Sequence, residues 1–66
     1  MEITRLKELR EERGLSQAQL AKEIGVNHRS ISNWEVGARE PDIKNIKKLC
    51  KFFGITAGYL IGLEEI

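Results

Sequence analysis

Four hydrogen-bonding side chains occupy one side of a helix that the sequence predicts near residues 28–36. At about 100° per residue they fall within a single arc. Arginine can grip guanine through two parallel hydrogen bonds, asparagine can grip adenine in the same way, and serine or histidine can donate or accept at a base edge. The arc contains no carboxylate, which phosphate groups would repel. The four residues are His28, Arg29, Ser32 and Asn33.

These residue types at this spacing indicate a surface that hydrogen-bonds to the edges of nucleic-acid bases. The other side of the same helix carries Ile31 and Trp34, with Ser30 and Glu35 at its margins. The helix therefore has an apolar side that can anchor it to a core. A helix face that is simply solvated is the alternative that the composition of the arc leaves open.

The remaining reactive residue types do not assemble a reaction centre. The chain has one cysteine, Cys50, and one histidine, His28, so it can form neither an internal disulfide nor a zinc site built from several such ligands. Cys50 falls on the apolar side of its predicted helix and is expected to be an inert thiol. Ser16 stands at a helix start and is interpreted as a cap, not a nucleophile. We expect no enzyme activity, no metal, no cofactor and no small-molecule ligand.

Short amphipathic helices must position the polar arc. Alternating strand-like patterns are absent, and Pro41 is the only proline. Ser16, Asn27, Asp42 and Thr56 stand where helices would need N-caps, and glycines stand at the expected helix ends. The sequence predicts an all-α fold, a compact bundle of about five short helices, over residues 3–12, 17–24, 28–36, 43–53 and 57–61.

The connection between the second and third helices is three residues long, which forces the two helices to cross steeply. The apolar positions of the five helices supply the predicted core. They are Ile3, Leu6 and Leu9, then Leu20, Ala21 and Ile24, then Ile31 and Trp34, and finally Ile43, Ile46, Leu49, Cys50 and Phe53.

Length and composition bound the class of protein. The 66 residues fit one domain over 1–66, and the formal net charge of +1 gives no strong signal of nucleic-acid binding. Two of the first five residues, Glu2 and Arg5, are charged where a secretory signal would need an apolar run, and no apolar stretch is long enough to span a membrane. A single cysteine fits a reducing compartment, so we expect a cytoplasmic protein.

Residues 15–37 read Leu-Ser-Gln-Ala-Gln-Leu-Ala-Lys-Glu-Ile-Gly-Val-Asn-His-Arg-Ser-Ile-Ser-Asn-Trp-Glu-Val-Gly. This combination resembles the helix-turn-helix of the lambdoid phage repressor and Cro (XRE-type) family. The resemblance continues through Pro41-Asp42, Gly54 and Tyr59-Leu60, and so covers nearly the whole chain. It implies a lambda-repressor-like DNA-binding domain with its helix-turn-helix core at about 16–36 and with double-stranded DNA as its partner.

The resemblance also implies roles for individual residues. His28, Arg29, Ser32 and Asn33 match the base-reading positions of the family. One position departs from the pattern, because Val36 stands where many members carry a polar residue, often asparagine. The residues that we expect to contact phosphates are Gln17, Ser30, Arg39 and Lys44.

Two further sets of residues are expected to have structural roles. In related domains a pair such as Arg10 and Glu35 forms a partly buried salt bridge, and an unpaired buried charge would be costly. Apolar residues near the C-terminus exceed what so short a segment can cover, and we expect a homodimer contact there; folding of Tyr59 and Leu63 over the core is the alternative. The expected contact residues are Phe52, Tyr59, Leu63 and Ile66.

The expected function is that of a sequence-specific DNA-binding transcriptional regulator, a repressor that acts as a dimer on a near-palindromic operator. The alternative is an antitoxin-like module that neutralises a partner protein, since a fold does not fix a function.

Overall fold

A computed structural model describes residues 5–63, and within that range the chain forms five α-helices and no strand. No helix of this range has both the length and the apolar character needed to cross a bilayer. The helices are α1 (Leu6–Glu12), α2 (Gln17–Ile24), α3 (His28–Glu35), α4 (Ile43–Phe53) and α5 (Ala57–Leu60).

Side-chain caps define where four of these helices begin. Ser16 Oγ accepts from the N–H of Gln19 at 3.0 Å, and the Gln19 side chain accepts from the N–H of Ser16 at 2.7 Å. This reciprocal pair satisfies two donors at the start of α2 that would otherwise lack a partner. The starts of α3, α4 and α5 each have a single side-chain cap, in which a backbone N–H donates to Asn27, Asp42 or Thr56 respectively.

The first helix is shorter than the sequence predicts. It begins at Leu6, and Arg5, which the prediction placed inside a helix over 3–12, precedes it with φ −110° and ψ 0°. Arg5 N–H donates to the carbonyl of Leu60 at 3.3 Å, which ties the chain to α5. Residue 3, a predicted core position, lies outside the described residues.

The core is a single cluster to which all five helices contribute. Leu6, Leu20, Ile31, Leu49 and Leu60 are completely buried. Each helix supplies one of these side chains, so each helix is anchored to the centre by at least one residue. Helices of this length are marginal on their own, and burial of their apolar sides is what makes them stable.

Ile43 does not join this core, although it is part of the apolar pattern of α4. Its side chain is 71% exposed, whereas Ile46 and Leu49 on the same helix are buried. Ile43 is the first residue of α4, and three residues on lies Ile46, at which the apolar side of the helix reaches the core. The apolar pattern of α4 therefore begins at Ile43, whereas the buried side of the helix begins at Ile46.

The arginine that follows α1, Arg13, holds the end of α4. The guanidinium of Arg13 lies 5.2 Å from the ring centroids of both Phe52 and Phe53. It also donates to the carbonyls of these residues, at 3.3 Å and 3.2 Å. A cation at this position neutralises the negative end of the α4 dipole and satisfies carbonyls that have no partner within the helix.

The cap of α4 gives a test of this description of the helix starts. Replacing Asp42 by alanine removes the acceptor that lies 2.9 Å from the N–H of Asn45, and should lower the free energy of unfolding by about 1 kcal/mol. Asp42→Asn keeps an acceptor and should cost less than half as much. Urea denaturation followed by circular dichroism measures both values. Equal losses in the two variants would show that charge, and not the hydrogen bond, stabilises this helix start.

Candidate nucleic-acid interface

Hydrogen bonds fix the turn between α2 and α3. Gly25 has φ +76°, a left-handed conformation that favours glycine, and ends α2. The N–H groups of Gly25 and Val26 both donate to the carbonyl of Ala21, at 2.8 Å and 2.9 Å. Asn27 Oδ1 then accepts from the N–H of Arg29 at 2.8 Å and starts α3. The three-residue turn is therefore fixed at both ends.

One side of α3 is buried in the core and the opposite side is open. Ile31 is 0% exposed and Trp34 is 5% exposed. His28 and Arg29 are exposed, and Ser32 and Asn33 are half-buried. In the described part of the chain the side chains of these four residues form no hydrogen bond and no ion pair. The base-reading arc that the sequence predicts is therefore on the surface, with its donors and acceptors available.

A buried ion pair fixes the orientation of α3. Arg10 Nε donates to Glu35 Oε2 at 2.6 Å, and Arg10 Nη2 donates to Glu35 Oε1 at 3.1 Å. The two side chains are 11% and 3% exposed. The third nitrogen of the guanidinium, Nη1, donates to the carbonyl of Leu15 at 2.8 Å. All three guanidinium nitrogens of Arg10 thus have partners, as a buried cation requires.

Gln17 completes this network. Its Nε2 donates to Glu35 Oε1 at 3.0 Å, so the carboxylate receives three hydrogen bonds from α1 and α2. The sequence predicts Gln17 as a phosphate contact and gives no indication of its bond to Glu35. Because an amide nitrogen carries two hydrogens, Gln17 still has one to donate to another group.

The network also sets the charge of the surface around α3. The hydrogen bonds that Arg10 donates to Glu35 raise the pKa of Arg10 above its ordinary value, against the opposing effect of burial. The guanidinium is therefore charged at neutral pH. Glu35, the only acidic residue of α3, is neutralised by it and withdrawn from the surface. A phosphate approaching α3 consequently meets no exposed carboxylate on that helix.

The other predicted phosphate contacts differ in position and in exposure. Arg39 and Lys44 are exposed, the first in the loop after α3 and the second in the first turn of α4. The N–H of Arg39 donates to the carbonyl of Asn33 at 3.3 Å, so the loop stays against the end of α3. Ser30 is half-buried and lies at the margin of the anchored side.

The predicted dimer residues differ from one another in their environments. Phe52 is half-buried against Phe53, with ring centroids 5.0 Å apart, and also lines an open groove with Ile24 and Lys51. Tyr59 is half-buried, and the guanidinium of Arg5 lies 4.3 Å from its ring centroid. Leu63 is 81% exposed and does not fold over the core. Residue 66 lies outside the described residues.

Cys50 belongs to the packing of α4. It is half-buried against the core cluster, and burial raises the pKa of its thiol. A raised pKa lowers the fraction of reactive thiolate at neutral pH. No cluster of three metal-ligating side chains occurs among residues 5–63.

Comparison with known proteins matches this chain to a helix-turn-helix family and to transcriptional regulators. The profile of the helix-turn-helix family matches residues 6–60. The cryptic phage CTXphi transcriptional repressor RstR of Vibrio cholerae is 32% identical over 62 residues, which are 94% of this chain and 56% of RstR. The HTH-type transcriptional activator BcrR of Enterococcus faecalis is 37% identical over 62 residues, which are 94% of this chain and 30% of BcrR.

A solved structure is also similar. The crystal structure of a transcriptional regulator from Listeria innocua matches with a TM-score of 0.81 at 29% identity, over 92% of this chain and 58% of that one. The chain thus spans little more than half of the length of RstR and of the Listeria protein, and a smaller share of BcrR.

The buried pair gives a test of how the interface is held. Glu35→Ala leaves the Arg10 cation buried without its counter-charge, and should lower the free energy of unfolding by about 3 kcal/mol or more. Lys22→Ala, at an exposed position of α2, should change it by less than about 0.5 kcal/mol. Urea denaturation compares the two.

A double variant separates the charge from the contact. In Arg10→Met/Glu35→Leu no buried charge remains, so this variant should recover most of the stability lost in Glu35→Ala. Equal stability of Glu35→Ala and Lys22→Ala would contradict the structural role of the pair.

Proposed function

We propose that this chain, which belongs to the helix-turn-helix family, binds double-stranded DNA sequence-specifically and regulates transcription, as a repressor that acts as a dimer on a near-palindromic operator. The family membership supplies the premise, and the arrangement of α2 and α3 supplies the mechanism. In a helix-turn-helix the second helix of the unit enters the major groove, and here that helix is α3.

The observation that carries the proposal is the open polar arc of α3. His28, Arg29, Ser32 and Asn33 offer donors and acceptors that no other side chain of the described residues occupies. The backbone that carries them is held by Ile31 and the buried Glu35. A rigid helix with uncommitted polar side chains can match the donor and acceptor pattern that each base pair presents in the major groove.

Phosphate contacts would place α3 in the groove. Arg39 and Lys44 are exposed cations, in the loop after α3 and in the first turn of α4, and Gln17 has one amide hydrogen left at the start of α2. Ser30 is the fourth contact of this kind in the proposal. Such contacts carry most of the salt dependence of binding and do not discriminate between sequences.

A dimer would place two copies of α3 in successive major grooves about 34 Å apart. The exposed Leu63 and the groove beside Phe52 are the apolar surfaces on which we place the contact between the two copies. Tyr59, in α5, is the third predicted member of the contact, and residue 66 is the fourth.

Repression would be steric, because a protein bound to its operator excludes polymerase from the same DNA. The name of RstR, a transcriptional repressor, supports this direction, although BcrR is named as an activator. The proposed function carries with it the expectation of a cytoplasmic location, where the operator would be reached.

Arg29 and Lys44 give a test of the division between reading and positioning. On a site selected from a random DNA pool, Arg29→Ala should lose about 1–3 kcal/mol of binding free energy and relax preference at one base pair. Lys44→Ala should weaken binding to all sequences alike and reduce the salt slope by about 1. Gel-shift titrations at several salt concentrations measure both effects.

A matched control is available on the same helix. Lys51 is exposed on α4 about 10 Å along the axis from Lys44. Lys51→Ala should change the salt slope less than Lys44→Ala does. Identical losses of Arg29→Ala and Lys44→Ala on the selected site and on random DNA would contradict the proposed roles.

The dimer has its own test. Sedimentation of the complex with the selected site should show two copies of the chain on each duplex. Leu63→Glu places a charge in the proposed contact and should weaken assembly of the second copy by about tenfold or more, since burying an unpaired charge is costly. A single copy on a DNA site that is already saturated would disprove the dimer.

A further inference from the structure

Val36 follows α3 directly and is 74% exposed. Among the described residues, two other large hydrophobic side chains are exposed to a similar degree, Ile43 (71%) and Leu63 (81%). Both of those lie outside the helix-turn-helix. Val36 is therefore the one large apolar side chain presented to solvent by the described helix-turn-helix unit and the residue that caps it.

The backbone keeps Val36 on the helical path. Its N–H donates to the carbonyl of Ser32 at 3.2 Å, which is the bond that a helical residue makes, and its φ and ψ are −94° and 0°. At about 100° per residue, Val36 lies about 40° from Ser32 and about 60° from Asn33 around the axis. This angle is near the middle of the arc formed by the four polar residues.

An alkyl side chain in the middle of that arc cannot recognise a hydrogen-bonding group. In the major groove the base pairs present donors and acceptors at nearly every position, and the C5-methyl of thymine is the one alkyl group among them. Covering a polar base edge with valine would leave that edge without a hydrogen-bond partner, which is unfavourable. A thymine methyl loses no hydrogen bond when it is covered.

We propose that Val36 is a further specificity-determining residue, which selects thymine by packing against its C5-methyl group. This inference rests on the proposed function, because it requires α3 to lie in the major groove. Val36 is about 12 Å along the helix axis from His28. The selected thymine should therefore belong to a different base pair from the one that His28 reads.

The proposed contact also explains why Val36 departs from the polar residue that many members of the family carry at this position. A polar residue at this position would be suited to a phosphate or to a polar base edge. Valine offers neither a donor nor an acceptor, and its exposed surface gains only from contact with another apolar group. A valine in place of a polar residue at position 36 thus favours contact with an apolar group of the DNA over contact with a phosphate or a polar base edge.

The experiment replaces thymine by deoxyuridine, which removes only the methyl group, one position at a time in the selected site. Gel-shift titrations compare the wild-type chain, Val36→Ala and Val36→Thr on each DNA. Val36→Thr keeps the shape of valine and replaces one methyl by a hydroxyl. Ile43→Ala is the matched control, because Ile43 is nearly as exposed as Val36 but lies on α4. Thermal unfolding of each variant verifies that it is folded.

At one thymine in each half-site, the deoxyuridine substitution should weaken binding of the wild-type chain about fourfold, which corresponds to the roughly 0.8 kcal/mol gained by burying one methyl group. For Val36→Ala, the same deoxyuridine substitution should cause no loss of affinity, because the methyl contact is already absent. For Val36→Thr, it should cause a smaller loss than for the wild-type chain. At every other thymine all the chains should respond alike. Ile43→Ala should keep the full wild-type response at all positions.

Two results would overturn the inference. Deoxyuridine effects that are the same in the wild-type chain and in Val36→Ala at every position would show that Val36 reads no methyl group. A uniform loss for Val36→Ala on all sequences, random DNA included, would place its contact on the sugar–phosphate backbone instead. Failure of the wild-type chain to prefer any sequence is a separate result, which would refute the proposed function itself.

Discussion

The ion pair between Arg10 and Glu35 is the constraint on which the orientation of the candidate interface depends. Two charges this deeply buried are tolerated only when every hydrogen-bonding group around them is satisfied. That condition requires Leu15 and Gln17 to be in place, and thereby relates the ends of α1, α2 and α3 to one another. Apolar packing alone would allow α3 more freedom to rotate, because contacts between hydrocarbon groups are not directional.

This arrangement divides the helix that we propose as the DNA reader into two functional sides. Its inner side is committed, through Ile31, Trp34 and the carboxylate of Glu35, to holding the backbone in place. Its outer side carries polar side chains that form no hydrogen bond or ion pair within the described residues. Specific recognition benefits from such a division, because side chains on a rigid element lose less entropy on binding than side chains on a mobile one.

Contacts made by two arginines join the first helix to the C-terminal half of the chain. Arg13 holds the end of α4 through two aromatic rings and two carbonyls, and Arg5 joins the start of α1 to α5 by a backbone bond and by contact with Tyr59. These contacts tie the first helix to the last two. They matter in a domain of this size because its core is small and each helix is only a few turns long.

Much of the fold follows from short-range rules and was predicted correctly from the sequence. The number of helices, the caps of α2 to α5 and the apolar anchors Ile31 and Trp34 depend on residues within a few positions of each other. The polar arc on α3 follows from the same helical periodicity. The particular roles of its residues in binding DNA remain predictions.

The tertiary structure alone decided where these local patterns stop. Arg5 is drawn to α5 and not into α1, Ile43 lies beyond the packed side of α4, and Arg13 reaches carbonyls about forty positions away. Gln17 gives its amide to Glu35 for the same reason. Each of these outcomes depends on groups that are distant in sequence and adjacent in space, and no local pattern records which of them will meet.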